Sequence, residues 1–302
     1  MQLLQAILIR TACWCVRLLP VSLAGAIGSG LGRLAYYLDA RHRGVALRNL
    51  ARIYPQKNRR WRQHKARESF AELGRTTFEL PHVFLRSKSF LLSRIQIEGE
   101  QAFRQAMQEG HGVFLAACHH SNWEMGALMF SLLGYKSTII YKPLRQAPLE
   151  NYLKRCRERF GACMRSRLDG LRWLPKALKE GASIAVMIDQ HQSNGVPIPF
   201  LGHLANSTTL PAAFAFKYGT PVFGVALHRI GKGFHFRLQF WPIPTPESSG
   251  DKDADQYHLM HDVSRSFEDA IHQRPELWLW SHRRWRILEQ EQEIGEVVHG
   301  TP

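Results

Sequence analysis

Cysteine is sparse in this chain and falls into no useful pattern. Five thiols, Cys13, Cys15, Cys118, Cys156 and Cys163, are scattered through 302 residues and never spaced Cys-x-x-Cys. That argues against a disulfide scaffold or a zinc site, and for free thiols in a reducing compartment. Acidic side chains are scarce too: 25 Asp and Glu stand against 40 Lys and Arg, a formal charge of +15. A surface of that sign suits nucleic acid, anionic lipid headgroups or an acidic protein partner. Zinc-finger spacings, a recognition-helix signature and aromatic-interleaved basic motifs are all missing, so nucleic acid is set aside. Long uncharged runs are few, and a mean hydropathy of −0.26 excludes a polytopic membrane protein. Internal repeats are absent, and neither a metal nor a cofactor is expected.

The uncharged runs that do occur lie in residues 1–38, interrupted by Arg10 and Arg17, seven apart on one helical face. A basic start and a small-x-small cleavage site are both wanting, so a signal peptide is not indicated. The stretch reads as a tilted span with snorkelling arginines or as an interfacial amphipathic segment, with a core helix pair as the plainer alternative. Residues 1–40 are therefore taken as a membrane anchor, 41–286 as the main domain and 287–302 as an exposed polar tail. Arg41, Arg43, Arg48 and Arg52 fit a cytoplasmic flank beside lipid.

The main domain is organised around Val113-Phe-Leu-Ala-Ala-Cys-His-His-Ser-Asn-Trp-Glu124. Val113–Ala117 reads as a buried strand and residues 122–130 as a helix, which puts a polar cluster where α/β proteins hold their chemistry. His119 and Glu124 would diverge by about 140° on one continuous helix. They meet only if His119 lies in the turn and Glu124 in the first helical turn, with Ser121 or Asn122 as the N-cap. Glu124 would then hold one imidazole N–H and leave the other nitrogen as a base. Cys118 beside His119 invites a thiol nucleophile, but adjacent residues at a strand end point to opposite faces. A second apolar strand, residues 183–188, ends in Asp189-Gln190-His191-Gln192 and should bring those groups to the same rim. A third buried strand spans 221–227, and residues 234–240 alternate as an antiparallel strand nearer the edge. Residues 195–202 read as a loop and Trp241–Pro246 as a connector. Helices are predicted over 62–80, 101–108, 171–179 and along the stripe Tyr257 to Ile271.

Cys-His-His-Ser-Asn-Trp-Glu resembles the His-x4-Asp/Glu motif of the bacterial lipid A late-acyltransferase family, with Ser121 at the usual glycine. Four further segments, one before this motif and three after it, stand in the family's order: Arg48-Asn-Leu50, Tyr141-Lys-Pro143, the Gly195-to-Gly202 run with Ala205-Asn-Ser-Thr-Thr209, and Pro275-Glu-Leu-Trp-Leu-Trp-Ser-His-Arg-Arg284. In the last of these, Trp280 is read as packing and Arg283 as a structural anchor or anion ligand. The resemblance implies an α/β fold of the glycerolipid-acyltransferase type, a mixed central sheet flanked by helices with an N-terminal membrane segment. It implies acyl transfer from a thioester on acyl carrier protein, or on coenzyme A, to a glycolipid hydroxyl at the cytoplasmic side of the inner membrane. His119 is the expected base and Glu124 its orienting carboxylate; Asn122, Lys142, Arg145, Asp189 and Gln190 are the expected substrate contacts. Lys154, Arg155, Arg157 and Arg159, with Lys142 and Arg145, are the expected docking face for the acidic carrier. Another lipid acceptor (lysophospholipid or aminolipid), a thioesterase and a non-catalytic membrane-binding protein remain alternatives; oligomeric state is open.

Overall fold

The computed structural model describes residues 2–286, so the polar tail at 287–302 lies outside the described residues. The chain opens with α1 (Gln2–Leu18) and α2 (Val21–Leu38), bent by 120° to one another. Among the described residues no single helix is long and apolar enough to cross a membrane, although the two halves of this bent pair together have the length and composition to do so. Next come α3 (Ala40–Ile53), α4 (Arg59–Leu85) and α5 (Lys88–Leu92). Asp39 caps α3 by accepting from the His42 N–H, and Asn58 caps α4 by accepting from that of Trp61. The contact of α2 with α4 depends on missing side chains. A Cβ on Gly28 would sit 2.4 Å from the Gly74 carbonyl oxygen, and one on Gly32 would sit 2.1 Å from that of Phe70. Backbones can approach so closely only where small residues recur at helical spacing. The opposite face of α2 exposes Leu23, Ile27, Leu31, Leu34 and Leu38, continued on α1 by Ile7, Leu8, Trp14 and Leu18.

The α/β body then alternates: β1 (Ile95–Glu98), α6 (Glu100–Gln108), β2 (Val113–Ala117), α7 (Trp123–Leu132), β3 (Ser137–Tyr141), α8 (Ala147–Glu158), β4 (Cys163–Ser166), α9 (Leu174–Lys179) and β5 (Ser183–Met187). A hairpin of β6 (Val196–Phe200) and β7 (His203–Ser207) precedes α10 (Leu210–Tyr218), β8 (Val222–Arg229), β9 (Phe236–Ile243), α11 (Lys252–Arg265) and α12 (Glu268–Gln273). Seven strands form one mixed sheet in the order β1-β9-β8-β2-β5-β3-β4. The run from β8 to β4 is parallel, and β9 pairs antiparallel to β8. Central strands β2 and β5 are apolar on both faces because helices cover both, the reason their sequences do not alternate. Strand β9 alternates buried and exposed positions, as expected for a strand near the edge.

Three expectations need correction. Residues 195–202 are half of a hairpin, not a loop: Leu201 and Gly202 both have positive φ (51° and 77°), the conformation of a tight two-residue turn. Strand β9 runs on to Ile243, so Trp241–Ile243 belong to the sheet and the connector begins later. The helix expected over 257–271 is two, since α11 stops at Arg265 and α12 restarts at Glu268.

Candidate active site

Register brings the site together. In the β2–β5 pair, Ala117 lies opposite Met187, so the residues two further on, His119 and Asp189, leave the sheet side by side. The His119 Nδ1–H donates to Asp189 Oδ1 at 2.8 Å, and the His119 backbone N–H donates to Oδ2 at 2.7 Å. Trp278 Nε1–H donates to the same Oδ2 at 2.8 Å. Burial alone would raise the Asp189 carboxyl, but the adjacent imidazole and these three donors hold it down at about 2. With Nδ1 so engaged, His119 carries its lone pair on Nε2, where the Gln190 amide Nε2 lies 3.1 Å away. The His119 ring also packs edge-on to Trp123, 5.3 Å between centroids.

Glu124 is not the group on the His119 ring. It sits in the first turn of α7, as expected, but Arg157 of α8 grips it with two bonds of 2.8 and 2.5 Å. The side chain leaving a helix's first turn points along α7 toward α8, while the turn holding His119 points toward β5. Asp189, expected among the substrate contacts, is thus the imidazole's partner. Burial lowers the Arg157 guanidinium and Glu124 more than offsets that, so its proton is held more tightly than usual. Arg157 also faces the Tyr141 ring at 5.9 Å, and the Tyr141 hydroxyl donates to Glu150. Glu150 accepts from the Leu144 N–H as well, which ties the Tyr141-Lys142-Pro143-Leu144 turn to the same network. Lys142 and Arg145 extend from that turn into solvent.

Asn122 is the α7 N-cap, accepting from the Met125 N–H while its amide donates to Glu79. Glu79 and Glu72 in turn clasp the buried Arg229 at 2.6–2.8 Å. Asn122 is therefore spent on structure, which corrects its expected place among the substrate contacts. Ser121 has φ 55°, the left-handed region that favours glycine and so accounts for the family's preference there. Cys118 is fully buried, and burial with the nearby Asp189 charge pushes its thiol well up, so it stays protonated. His120 is buried on the other side of the turn, and burial lowers its imidazole to about 3. The expected docking face is also thinner than its sequence. Arg157 points inward, Arg159 donates to the carbonyls of Phe84 and Arg86, and Lys154 lies 4.0 Å from Glu158, leaving Arg155 exposed.

The C-terminal run supplies two residues that the sequence pattern did not single out. Trp280 packs in the core as expected, and its neighbour Trp278 reaches the carboxylate of Asp189. Arg284 donates to the carbonyls of Gln190 and Asn206, and burial lowers its guanidinium to about 10. Asn49, from the Arg-Asn-Leu segment, donates to the carbonyls of Trp280 and His282. Distant segments of the chain thus meet as a brace beneath the His119–Asp189 pair.

A mixed α/β sheet thus presents, at its strand ends, an imidazole held by a buried carboxylate, the kind of site that acyl-transferring α/β enzymes carry. The family model described as bacterial lipid A biosynthesis acyltransferase matches residues 3–287. The chain belongs to that family. It is 24% identical over 272 residues to the lipid A biosynthesis palmitoleoyltransferase of Escherichia coli K12, covering 89% of this chain and 86% of the relative. It is 26% identical over 277 residues to the lipid A biosynthesis lauroyltransferase of the same strain, covering 90% and 88%. A lipid A biosynthesis acyltransferase of Haemophilus influenzae is 26% identical over 160 residues, covering 53% of this chain and 49% of the relative.

Proposed function

We propose that this enzyme moves a fatty acyl chain from the thioester of acyl carrier protein onto a hydroxyl of a lipid A-type glycolipid at the cytoplasmic face of the inner membrane. The observation that carries the mechanism is the Asp189–His119 bond at 2.8 Å, which leaves Nε2 as the basic nitrogen. The acceptor hydroxyl displaces the Gln190 amide and donates its proton to Nε2 as its oxygen attacks the thioester carbonyl. Asp189 stabilises the imidazolium that forms, the carboxylate's part in a hydrolytic triad. The tetrahedral intermediate collapses with loss of the C–S bond, and the departing thiolate takes the proton from Nε2. The Gln190 amide, once displaced, is positioned to donate to the developing oxyanion. Glu124 acts through Arg157, fixing α7 and the Tyr141 turn on which Lys142 and Arg145 meet an acceptor phosphate. The apolar face of α1 and α2 supports seating at a bilayer surface, with the active site within reach of lipid acceptors.

His119→Ala tests the reading: transfer from acyl carrier protein to a lipid A-type acceptor should fall roughly 10²–10⁴-fold. Lipid mass spectrometry of cells with and without the protein identifies the acceptor; an acylated lysophospholipid or aminolipid instead of a glycolipid would overturn that part. Wild-type enzyme releasing free acid at the same rate with no acceptor present would make it a thioesterase.

A further inference from the structure

Beneath the His119 turn, between α7 and the sheet, lies a cavity of about 60 Å³. Trp123, Gly126, Ala127 and Phe130 line it from α7, and Ala185 and Leu227 are among its residues on the sheet. Its lining residues are apolar or aromatic except Cys118, whose side chain packs with Phe114, Ala116 and Ile188 on the other face of the sheet, and His120. His120 is 1% exposed, and its Nε2 has no hydrogen-bond partner. Its Nδ1 faces the Leu227 carbonyl oxygen at 3.4 Å. A carbonyl can only accept, so Nδ1 carries the hydrogen and Nε2 is left as a bare acceptor. Its other close neighbour, the His228 ring at 5.1 Å between centroids, packs edge-on against it. An orphan acceptor in an apolar wall costs free energy unless a donor arrives with the ligand.

The cavity also continues from the reaction centre. Trp123 touches both: its ring packs on His119 and lines the cavity. A thioester carbonyl in reach of an oxygen bonded to His119 Nε2 would send its first chain carbons past Trp123 toward His120. A water is a poor match for the orphan nitrogen, because buried waters need two to four polar partners and the residues around His120 here are otherwise apolar or aromatic. A hydroxyl on the chain needs only one, since the chain itself holds it in place.

Resting on the acyl-transfer reading above, we propose that this cavity receives a hydroxylated acyl chain, whose hydroxyl, on one of the first few carbons, donates to His120 Nε2. The enzyme then selects hydroxyacyl over plain acyl thioesters of equal length. A site built to bond a substrate hydroxyl discriminates against the analogue lacking it, because its own polar group is otherwise left unpaired.

The test is direct competition with the full-length enzyme and a lipid A-type glycolipid acceptor. Equimolar plain and 3-hydroxyacyl carrier-protein thioesters of one chain length are mixed, then plain and 2-hydroxyacyl, and products are counted by mass spectrometry. The product ratio does not depend on how much enzyme is folded. Wild type should favour one of the hydroxyacyl donors about tenfold. His120→Phe should bring that ratio to one or below, and His120→Gln, which keeps an acceptor, should retain part of it. A wild-type ratio near one in both mixtures, with plain chains transferred, would overturn this inference and leave the acyltransferase reading standing. So would a tenfold ratio that survives His120→Phe. Transfer of neither plain nor hydroxylated chains would overturn both.

Discussion

Asp189→Asn separates the two carboxylates most cleanly. Three N–H groups converge on Asp189: His119 N and Trp278 Nε1 on one oxygen, His119 Nδ1 on the other. An asparagine offers a single carbonyl oxygen. Facing it toward the two donors turns its NH₂ toward His119 Nδ1, which then gives up its hydrogen and accepts. The proton moves to Nε2, and the base is lost without moving a heavy atom. By the behaviour of serine-protease triads, the rate should fall about 10⁴-fold. One imperfectly paired donor should cost roughly 1–3 kcal/mol, a few degrees in melting temperature, so the variant stays folded at assay temperature. A second readout follows from the depressed Asp189 carboxyl. Stability from a lowered acid is fully present above its unfolded value near 3.8 and is lost as pH falls toward about 2. The full loss amounts to about 2 kcal/mol in wild type, about half of it already reached at pH 3, and should vanish in the variant. The assay is turnover at saturating donor, beside circular-dichroism melts at pH 7 and pH 3. Activity within tenfold of wild type, with Glu124→Gln the more damaging change, would refute the argument and return the imidazole to Glu124.

Arg157→Met should cost about 3–5 kcal/mol in urea unfolding, because Glu124 is left buried without its partner; loss below 1 kcal/mol would show the pair to be solvated. Ser121→Gly should be neutral to about 1 kcal/mol stabilising, since relief of the left-handed backbone outweighs the added freedom of the unfolded chain; a clear drop in melting temperature would contradict this. Charge reversal at Arg155, which the acceptor reading does not use, should lower kcat/KM for acyl carrier protein at low salt while sparing kcat, and the difference should fade as salt screens it. An equal loss for a small donor such as acyl-coenzyme A would deny Arg155 a docking role.

The rim was legible in the sequence because two uninterrupted apolar runs, Val113–Ala117 and Ser183–Met187, each end abruptly in polar groups. A parallel sheet covered on both sides leaves few other places for such runs. Pairing within the rim was not legible. The spacing of His119 and Glu124 tests only whether they can meet locally, whereas Asp189 is 70 residues away and arrives through the β2–β5 register. Arg157 was hidden for another reason. It stands among Lys154, Arg155 and Arg159, and a basic run reads as a solvated face. The available signal was Leu153, four residues earlier on the same side of α8, which packs against the apolar core. The 196–207 hairpin was obscured by Pro197 and Pro199, which argue against a strand in a large sheet but are tolerated in a two-stranded ribbon.

The two carboxylates serve different supports. His119 and Asp189 hang from the ends of β2 and β5, the most enclosed strands, braced by Trp278 and Arg284 from the far end of the chain. The position of Nε2 is therefore a property of the core and is insensitive to what happens on the surface. Glu124, Arg157, Tyr141 and Glu150 form a separate chain of contacts running outward from α7 through α8 to the turn that carries Lys142 and Arg145. That chain shares no hydrogen bond with the Asp189–His119 pair. The acyl-transfer reading proposed above, with a lipid headgroup and a carrier protein entering at one mouth, calls for this separation: a base fixed by the sheet, and an acceptor loop fixed by contacts that can yield. Breaking the first should stop chemistry at any substrate concentration, and breaking the second should appear first in KM.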